Sequence, residues 1–287
     1  MGFKDVFRRV LHPPPTEGVA VPSGEPAVLG SREWAAAWLD AFEDGRLQPP
    51  KDVHDAPAWD AYWTNHVKFG PAEQGFSDMT SSDNTLIDLL ASRDARTILC
   101  AGNGLSTEAL SLAMHGFHVT ALDISKVPST VLVAALSSLE QSASRISGMR
   151  VTPERIVFGE PGCAIPADVC PPIHRTPHRL PQGGGSLASV TGDLIDPAIC
   201  PGPFDAVIER RTVQLFPEVE REVALDRLAS RLGARGLFVS HFHDGCGGPG
   251  RWRPHYATGW VASRGFVLGR EAEAEALRLA LLVHTSG

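Results

Sequence analysis

Hydrophobic and polar positions along the chain switch between two periods. Short apolar runs rich in β-branched residues stand at Thr97–Cys100, Phe117–Leu122, Leu187–Thr191, Phe204–Glu209 and Leu237–Phe242. Between them lie stretches with apolar residues at helical spacing. Leu86, Ile87, Leu89 and Leu90 mark one, and Ser106–His115 a second. Ser129–Ile146 carries Val131, Leu132, Ala135, Leu136 and Leu139, and Glu218–Leu232 completes the set before Gly233 and Gly236. Strand, helix and strand following one another predict an α/β domain beginning near Ser82. Towards the C-terminus the pattern predicts a helix near His255–Ser263 and two strands, Phe266–Leu268 and Leu277–His284.

The first eighty residues read differently. Residues 12–30 are Pro, Gly and Val without a period, a linker or arm. Ser31 caps a predicted helix running to about Asp44, and a second covers Pro57–Val67. This second helix crowds Trp59, Tyr62 and Trp63 into five positions, with His66 next along that face. We therefore divide the chain into an N-terminal arm with a helical lid or cap, residues 1–80, and a core of 81–287. Residues 149–186 hold seven prolines and the run Gly183–Gly185, and read as an insertion or long loop within that core.

Candidate chemistry centres on Thr97–Ser106, where a strand ends in two glycines one residue apart, Gly102 and Gly104. Without a Cβ the backbone turns sharply there and approaches a ligand closely, and the following helix offers free N–H groups. The next strand closes on Asp123, near the ~20-residue spacing expected of an acid that accepts ribose hydroxyls. A dinucleotide fingerprint reads G-x-G-x-x-G, but position 107 is Thr.

Composition narrows the partners. Twenty-six basic against 33 acidic residues give a net charge of −7, which argues against a nucleic-acid phosphate backbone. No apolar run approaches the ~20 residues of a membrane span, the N-terminus does not read as a signal peptide, and Val6 stands where N-myristoylation needs Ser or Thr. Five cysteines without regular spacing suit a reducing compartment, so the expected location is the cytoplasm.

Ile98–Ser106, the strand end at Asp123, Gly192-Asp193-Leu194 and Phe204–Arg210 together resemble the class I S-adenosylmethionine-dependent methyltransferases, over about residues 82–287. The last stretch, continued to Pro217 and joined by Arg235–Val239, is similar to the thiopurine-methyltransferase-like branch. The resemblance implies a Rossmann-like, doubly wound, mostly parallel seven-stranded sheet ending in an antiparallel hairpin. It implies S-adenosyl-L-methionine as cofactor and a small-molecule acceptor methylated on oxygen, nitrogen or sulfur. It assigns cofactor binding to Ala101, Gly102, Gly104, Asp123, Ile124, Asp193, Leu194 and Glu209. Asp123 would take the ribose hydroxyls, Asp193 the adenine amino group, and Leu194 the adenine face. Glu209 and Arg210 would border the transfer site. Two departures stand out: Cys100 replaces an acid and Ser106 a third glycine.

Other residues complete the candidate list. His241 and His243 alternate along one strand, so they share a face; His241 and Glu209 are the candidate catalytic groups. Trp63, His66, Arg210 and His243 are candidates for contacting the acceptor. Cys163, Cys170, His174 and His178 have the spacing C-x6-C-x3-H-x3-H, which lacks the short hook of zinc sites, so no metal is assigned. Two other classes fit the glycine turn: an NAD-binding oxidoreductase, which no Tyr-x-x-x-Lys pair supports, and a non-catalytic cofactor-binding partner protein.

Overall fold

Strand β1 (Thr97–Ala101) is apolar at every position after Thr97 because both of its faces are covered. Ile98 and Cys100 point into one core, with Ile87, Leu90, Leu112, Ala113 and Phe117. Leu99 and Ala101 point into the other, with Val207, Leu225, Leu228 and Phe238. The computed structural model of the chain describes residues 44–69, 81–106, 108–142, 150–152, 155–159, 178–210, 212–243, 260–267 and 278–285.

Within these, helix α1 (Ala56–Phe69) precedes α2 (Ser81–Ser92), and β1 then begins the sheet. After it come α3 (Glu108–Met114), β2 (His118–Asp123) and α4 (Val127–Ser142). Two short strands follow, β3 (Arg150–Val151) and β4 (Arg155–Val157), then β5 (Ser186–Thr191) and β6 (Phe204–Arg210). Helix α5 (Glu218–Ala229), β7 (Leu232–His243), β8 (Trp260–Val267) and β9 (Arg278–Thr285) end the described chain. The sheet order is β3-β4-β5-β2-β1-β6-β7-β9-β8. Strands β5, β2, β1, β6 and β7 are parallel, and β9 inserts antiparallel between β7 and β8.

The chain runs outward from β1 through β2 to β5, then crosses to β6 and β7 on the other side of β1. That reversal between β1 and β6 is the switch point at which open α/β sheets form their crevice. Asp205 fixes the opposite end of the same strand pair. Its Oδ2 accepts bonds from the Arg96 and Thr97 amides, at 2.8 and 2.9 Å, and from the Thr97 hydroxyl at 3.0 Å.

The expected seven strands are all present, and the structure adds to them. The Pro-rich stretch contains β3 and β4, an antiparallel pair that extends the edge of β5. Its glycines have a packing role: a Cβ on Gly184 would enter the Phe158 carbonyl, and one on Gly185 the carbonyls of Ala113 and Phe117. The helix expected near His255–Ser263 is corrected at its end. Residues 260–263 belong to β8, paired with β9 from Trp260↔His284 onward, and this long-range pairing overrides the local pattern. Helix α4 starts two residues before the predicted Ser129 because the Ser125 hydroxyl accepts the Val127 amide. The predicted helix over 31–44 lies almost wholly outside the described residues. No helix among the described residues is long and apolar enough to cross a membrane.

Candidate functional site

The two glycines adopt the left-handed conformation, Gly102 at φ 64° and Gly104 at φ 51°, which disfavours a side chain at either position. They make room for neighbours on both sides. A Cβ on Gly102 would run into the Thr212 side chain, and one on Gly104 would lie 2.7 Å from Trp63 Cζ2. The turn is bound to the end of β2: the Gly102 amide donates to Leu122 O at 2.7 Å, and the Gly104 amide to Asp123 Oδ2 at 2.8 Å. Asp123 Oδ1 accepts the Ser125 amide at 2.9 Å. Burial lifts the Asp123 carboxyl to about 6, a rise that the Ser125 and Gly104 amides oppose and the Asp60 charge reinforces.

Above the turn, a cleft of about 500 Å³, partly open to solvent, lies against the C-terminal ends of β1, β2 and β5. Asp123 and Asp193 are its acids. Leu194, Phe216, Val53 and Ile124 give it apolar walls, and Trp59 and Trp63 of α1 cover it. Helix α1 is held there from both sides. The Ser125 hydroxyl donates to Asp60 Oδ1 at 2.6 Å, and Trp59 Nε1 donates to Val53 O at 3.2 Å. Trp59, Tyr62, Trp63 and His66 form a contiguous aromatic cluster. Burial lowers the His66 pKa, which a bond to the Leu47 backbone partly offsets, and raises that of Tyr62.

The loop after β5 carries Asp193 and is set from behind by Arg231, only 2 % exposed. Its guanidinium donates to the carbonyls of Leu194 at 2.5 Å, Asp196 at 2.7 Å and Ile199 at 3.0 Å. Asp193 Oδ1 accepts the Ile195 amide at 3.0 Å, while Oδ2 faces His54 Nδ1 at 2.6 Å. His54 Nε2 in turn faces Glu220 Oε2 at 3.2 Å.

The candidate residues therefore divide into three groups. Trp63, Gly102, Asp123, Ile124, Asp193 and Leu194 line the cleft together. Ala101, Gly104 and Glu209 form its floor and supports. Glu209 is fully buried, and its Oε2 accepts the Thr212 and Val213 amides at 3.0 and 3.1 Å, which holds the turn after β6. Arg210 is partly buried beside Glu108, with 3.7 Å between Nη1 and Oε2. Burial raises the Glu108 carboxyl against the pull of Arg210, and the Cys100 thiol is pushed up by its own burial and by Glu108. His66 packs at a tilt against Tyr62 and Trp63 one turn further along α1. His241 and His243 lie at the end of β7, His241 in register with Arg210. Cys163, Cys170 and His174 lie outside the described residues, and among those described no group of three or more metal-ligating side chains occurs.

Sequence reasoning missed His54, Val53, Thr212, Leu215 and Phe216. Thr212–Phe216 follows a strand recognised in the sequence, so its position after β6 was the available signal. Nothing local marked His54, whose partners are distant in sequence.

No protein-family model matches the chain, and no curated protein matches it by sequence. Solved structures do match in shape. A protein from work on the conversion of a disulfide bond into a thioacetal group during echinomycin biosynthesis is 15% identical. It superposes with a TM-score of 0.51, covering 80% of this chain and 91% of that one. A TehB-like SAM-dependent methyltransferase from Corynebacterium glutamicum is 18% identical, with a TM-score of 0.45 over 82% and 100% of the two chains. The magnesium protoporphyrin IX methyltransferase of Synechocystis PCC 6803, solved with bound SAM, is 14% identical, with a TM-score of 0.45 over 91% and 100%. At 15% identity the likeness to the first of these is one of fold alone; the sheet of this chain is Rossmann-like and mostly parallel, with its antiparallel strands at the C-terminal side.

Proposed function

We propose that this chain is an S-adenosylmethionine-dependent methyltransferase acting on a small-molecule acceptor. The observation that carries the reading is Asp123. Its carboxylate stands at the end of β2, facing a cleft of about 500 Å³ and bound by one oxygen to the amide of the glycine turn. The amides of Gly104, Ser125 and, more weakly, Ile124 take part of its acceptor capacity, and what remains is suited to accept from ribose hydroxyls. Asp193 offers the same capacity to an exocyclic amino group, and Leu194, Phe216 and Val53 offer apolar faces to a flat ring.

When bound, S-adenosylmethionine would supply a sulfonium methyl group for in-line transfer to an acceptor nucleophile, the carbon–sulfur bond breaking as S-adenosylhomocysteine leaves. The residues of this chain contribute orientation and the exclusion of water. Asp123, Asp193 and the apolar walls hold one reactant, and the glycine turn lets backbone approach it. Trp59 and Trp63 close the cleft as a lid. Such alignment is worth roughly 7–11 kcal/mol of a bimolecular barrier. Glu209 acts as a positioning residue through the Thr212 and Val213 amides. Arg210, His66 and His243 are the acceptor-side residues in this reading, and His241 the candidate base when the nucleophile must lose a proton. The thiopurine-methyltransferase-like branch is the finer reading, supported by the sequences of 204–217 and 235–239. A charge of −7 supports acceptors other than nucleic acid.

Thermal denaturation with added ligand tests the proposal. S-adenosylhomocysteine at a hundred times its Kd stabilises by about 2.7 kcal/mol, whereas NAD leaves the melting temperature unchanged. The reverse result excludes the reading. Product S-adenosylhomocysteine, followed across a panel of hydroxyl, amine and thiol acceptors, then identifies the acceptor atom.

A further inference from the structure

His54 stands in the turn before α1, and both of its ring nitrogens face carboxylates. Nδ1 is 2.6 Å from Asp193 Oδ2, and Nε2 is 3.2 Å from Glu220 Oε2. A neutral imidazole has one N–H and one lone pair, so it can satisfy only one of these oxygens. The other contact would then set a lone pair against a carboxylate. An imidazolium donates to both. We propose that His54 is a protonation-operated latch: as imidazolium it fastens the N-terminal segment across the Asp193 end of the cleft, and on losing its second proton it releases that segment.

The surroundings fit this role. Asp193 comes from the loop after β5 and Glu220 from the first turn of α5, so one ring joins three separate parts of the chain. The ring lies edge-on to Phe216, 5.6 Å between centroids at 76°, and Phe216 lines the cleft beside Val53. A third carboxylate on the same segment, Asp52, accepts the His54 amide at 2.9 Å and fixes the turn. Arg231, whose charge acts on Asp193, commits its guanidinium to three backbone carbonyls.

Burial lowers the His54 pKa, but the bonds and charges of Asp193 and Glu220 outweigh it, so the group titrates above the ordinary imidazole value of 6.5. The sign follows: the latch is fully closed below that ordinary value and opens as pH rises through the raised one. Asp193 Oδ2 has two lone pairs, so it can hold the latch and a ligand amino group together. Naming that end as the purine site rests on the methyltransferase reading; the latch itself does not.

Hydrogen exchange of the intact protein tests the latch without any ligand. Protection of residues 52–59, corrected for intrinsic rates and referred to α3, is expected to fall about two- to fivefold between pH 6 and pH 9, the worth of a partly exposed ion pair. In His54→Gln and Glu220→Gln the protection is lower and flat over the same range. Protection that is pH-independent in the wild type, or unchanged in His54→Gln, overturns the proposal. Methylthioadenosine, a nucleoside without a titrating amine, supplies the second arm. Asp123, which titrates near 6 in the same cleft, adds its own pH dependence in both proteins. The latch is therefore read as the difference: affinity is expected to weaken towards pH 9 more in the wild type than in His54→Gln. Affinity that follows pH alike in the two proteins while the exchange changes overturns the link between latch and site. A latch profile with no nucleoside binding at any pH supports the latch and rejects the methyltransferase reading.

Discussion

Replacing Asp123 by Asn separates what this carboxyl does for a ligand from what it does to the fold. The folded carboxyl titrates near 6 against an ordinary 3.8. A carboxyl raised on folding binds its proton more tightly in the native state, so stability falls as pH rises from about 4 through 6. At pH 8 the full difference is present, roughly 3 kcal/mol of destabilisation, and at pH 5 about half of it remains. The amide carries no charge to desolvate, but its NH2 faces one of the two amides, Gly104 or Ser125, that the carboxylate now satisfies. Losing that bond costs about 1–2 kcal/mol. The ligand-free Asn variant is therefore expected to be about 1–2 kcal/mol more stable than wild type at pH 8. It should show no advantage at pH 5 and no affinity for S-adenosylhomocysteine. Urea denaturation at both pH values and calorimetric titration measure these quantities. A variant less stable than wild type at pH 8, or one that still binds with wild-type affinity, refutes the electrostatic reading of the site.

Three further substitutions test the supports of the cleft. Arg231→Ala strands the carbonyls of Leu194, Asp196 and Ile199, and is expected to cost about 3–5 kcal/mol in denaturant melts. Gly104→Ala places a methyl group 2.7 Å from Trp63 Cζ2 in a left-handed conformation. It should cost about 1–2 kcal/mol and shift tryptophan emission to the red as the ring moves outward. Glu209→Ala leaves the Thr212 and Val213 amides unpaired in the interior, a loss of about 2 kcal/mol with weaker nucleoside binding by titration. Glu209→Gln, which keeps one acceptor, recovers part of both.

The parallel strands were legible because burial on both faces writes a continuous apolar run, as in Ile98–Ala101 of β1 and Ala206–Ile208 of β6. The glycine turn and Asp123 were legible because a left-handed backbone and a strand-end acid leave local marks. Other features depend on partners far along the chain. Strand β8 begins in a segment with local helical character, and its pairing with β9 decides its form. Strands β3 and β4 are two and three residues long, too short to show alternation among prolines. His54 is defined by carboxylates 139 and 166 residues away, and no local pattern could announce it. Glu209 was recognised by position, but its burial and its two amide donors, known only from the fold, turn it from a cleft-lining acid into a support.

Asp205 has a bearing on the site although it lies at the opposite end of the sheet. Strands β1 and β6 are apolar along most of their pairing, so a slip of two residues would keep every side chain on its own face. Burial alone discriminates weakly against such an error. A two-residue slip moves one strand by about 6.6 Å, enough to carry Thr212 away from Gly102. The Arg96 and Thr97 donors that Asp205 gathers exist in one alignment only, with the Asp205 amide returning to the Thr97 hydroxyl at 3.1 Å. They act as an index mark that sets the height of β6 against β1, and so the fidelity of the cleft is fixed at the end of the strands remote from it.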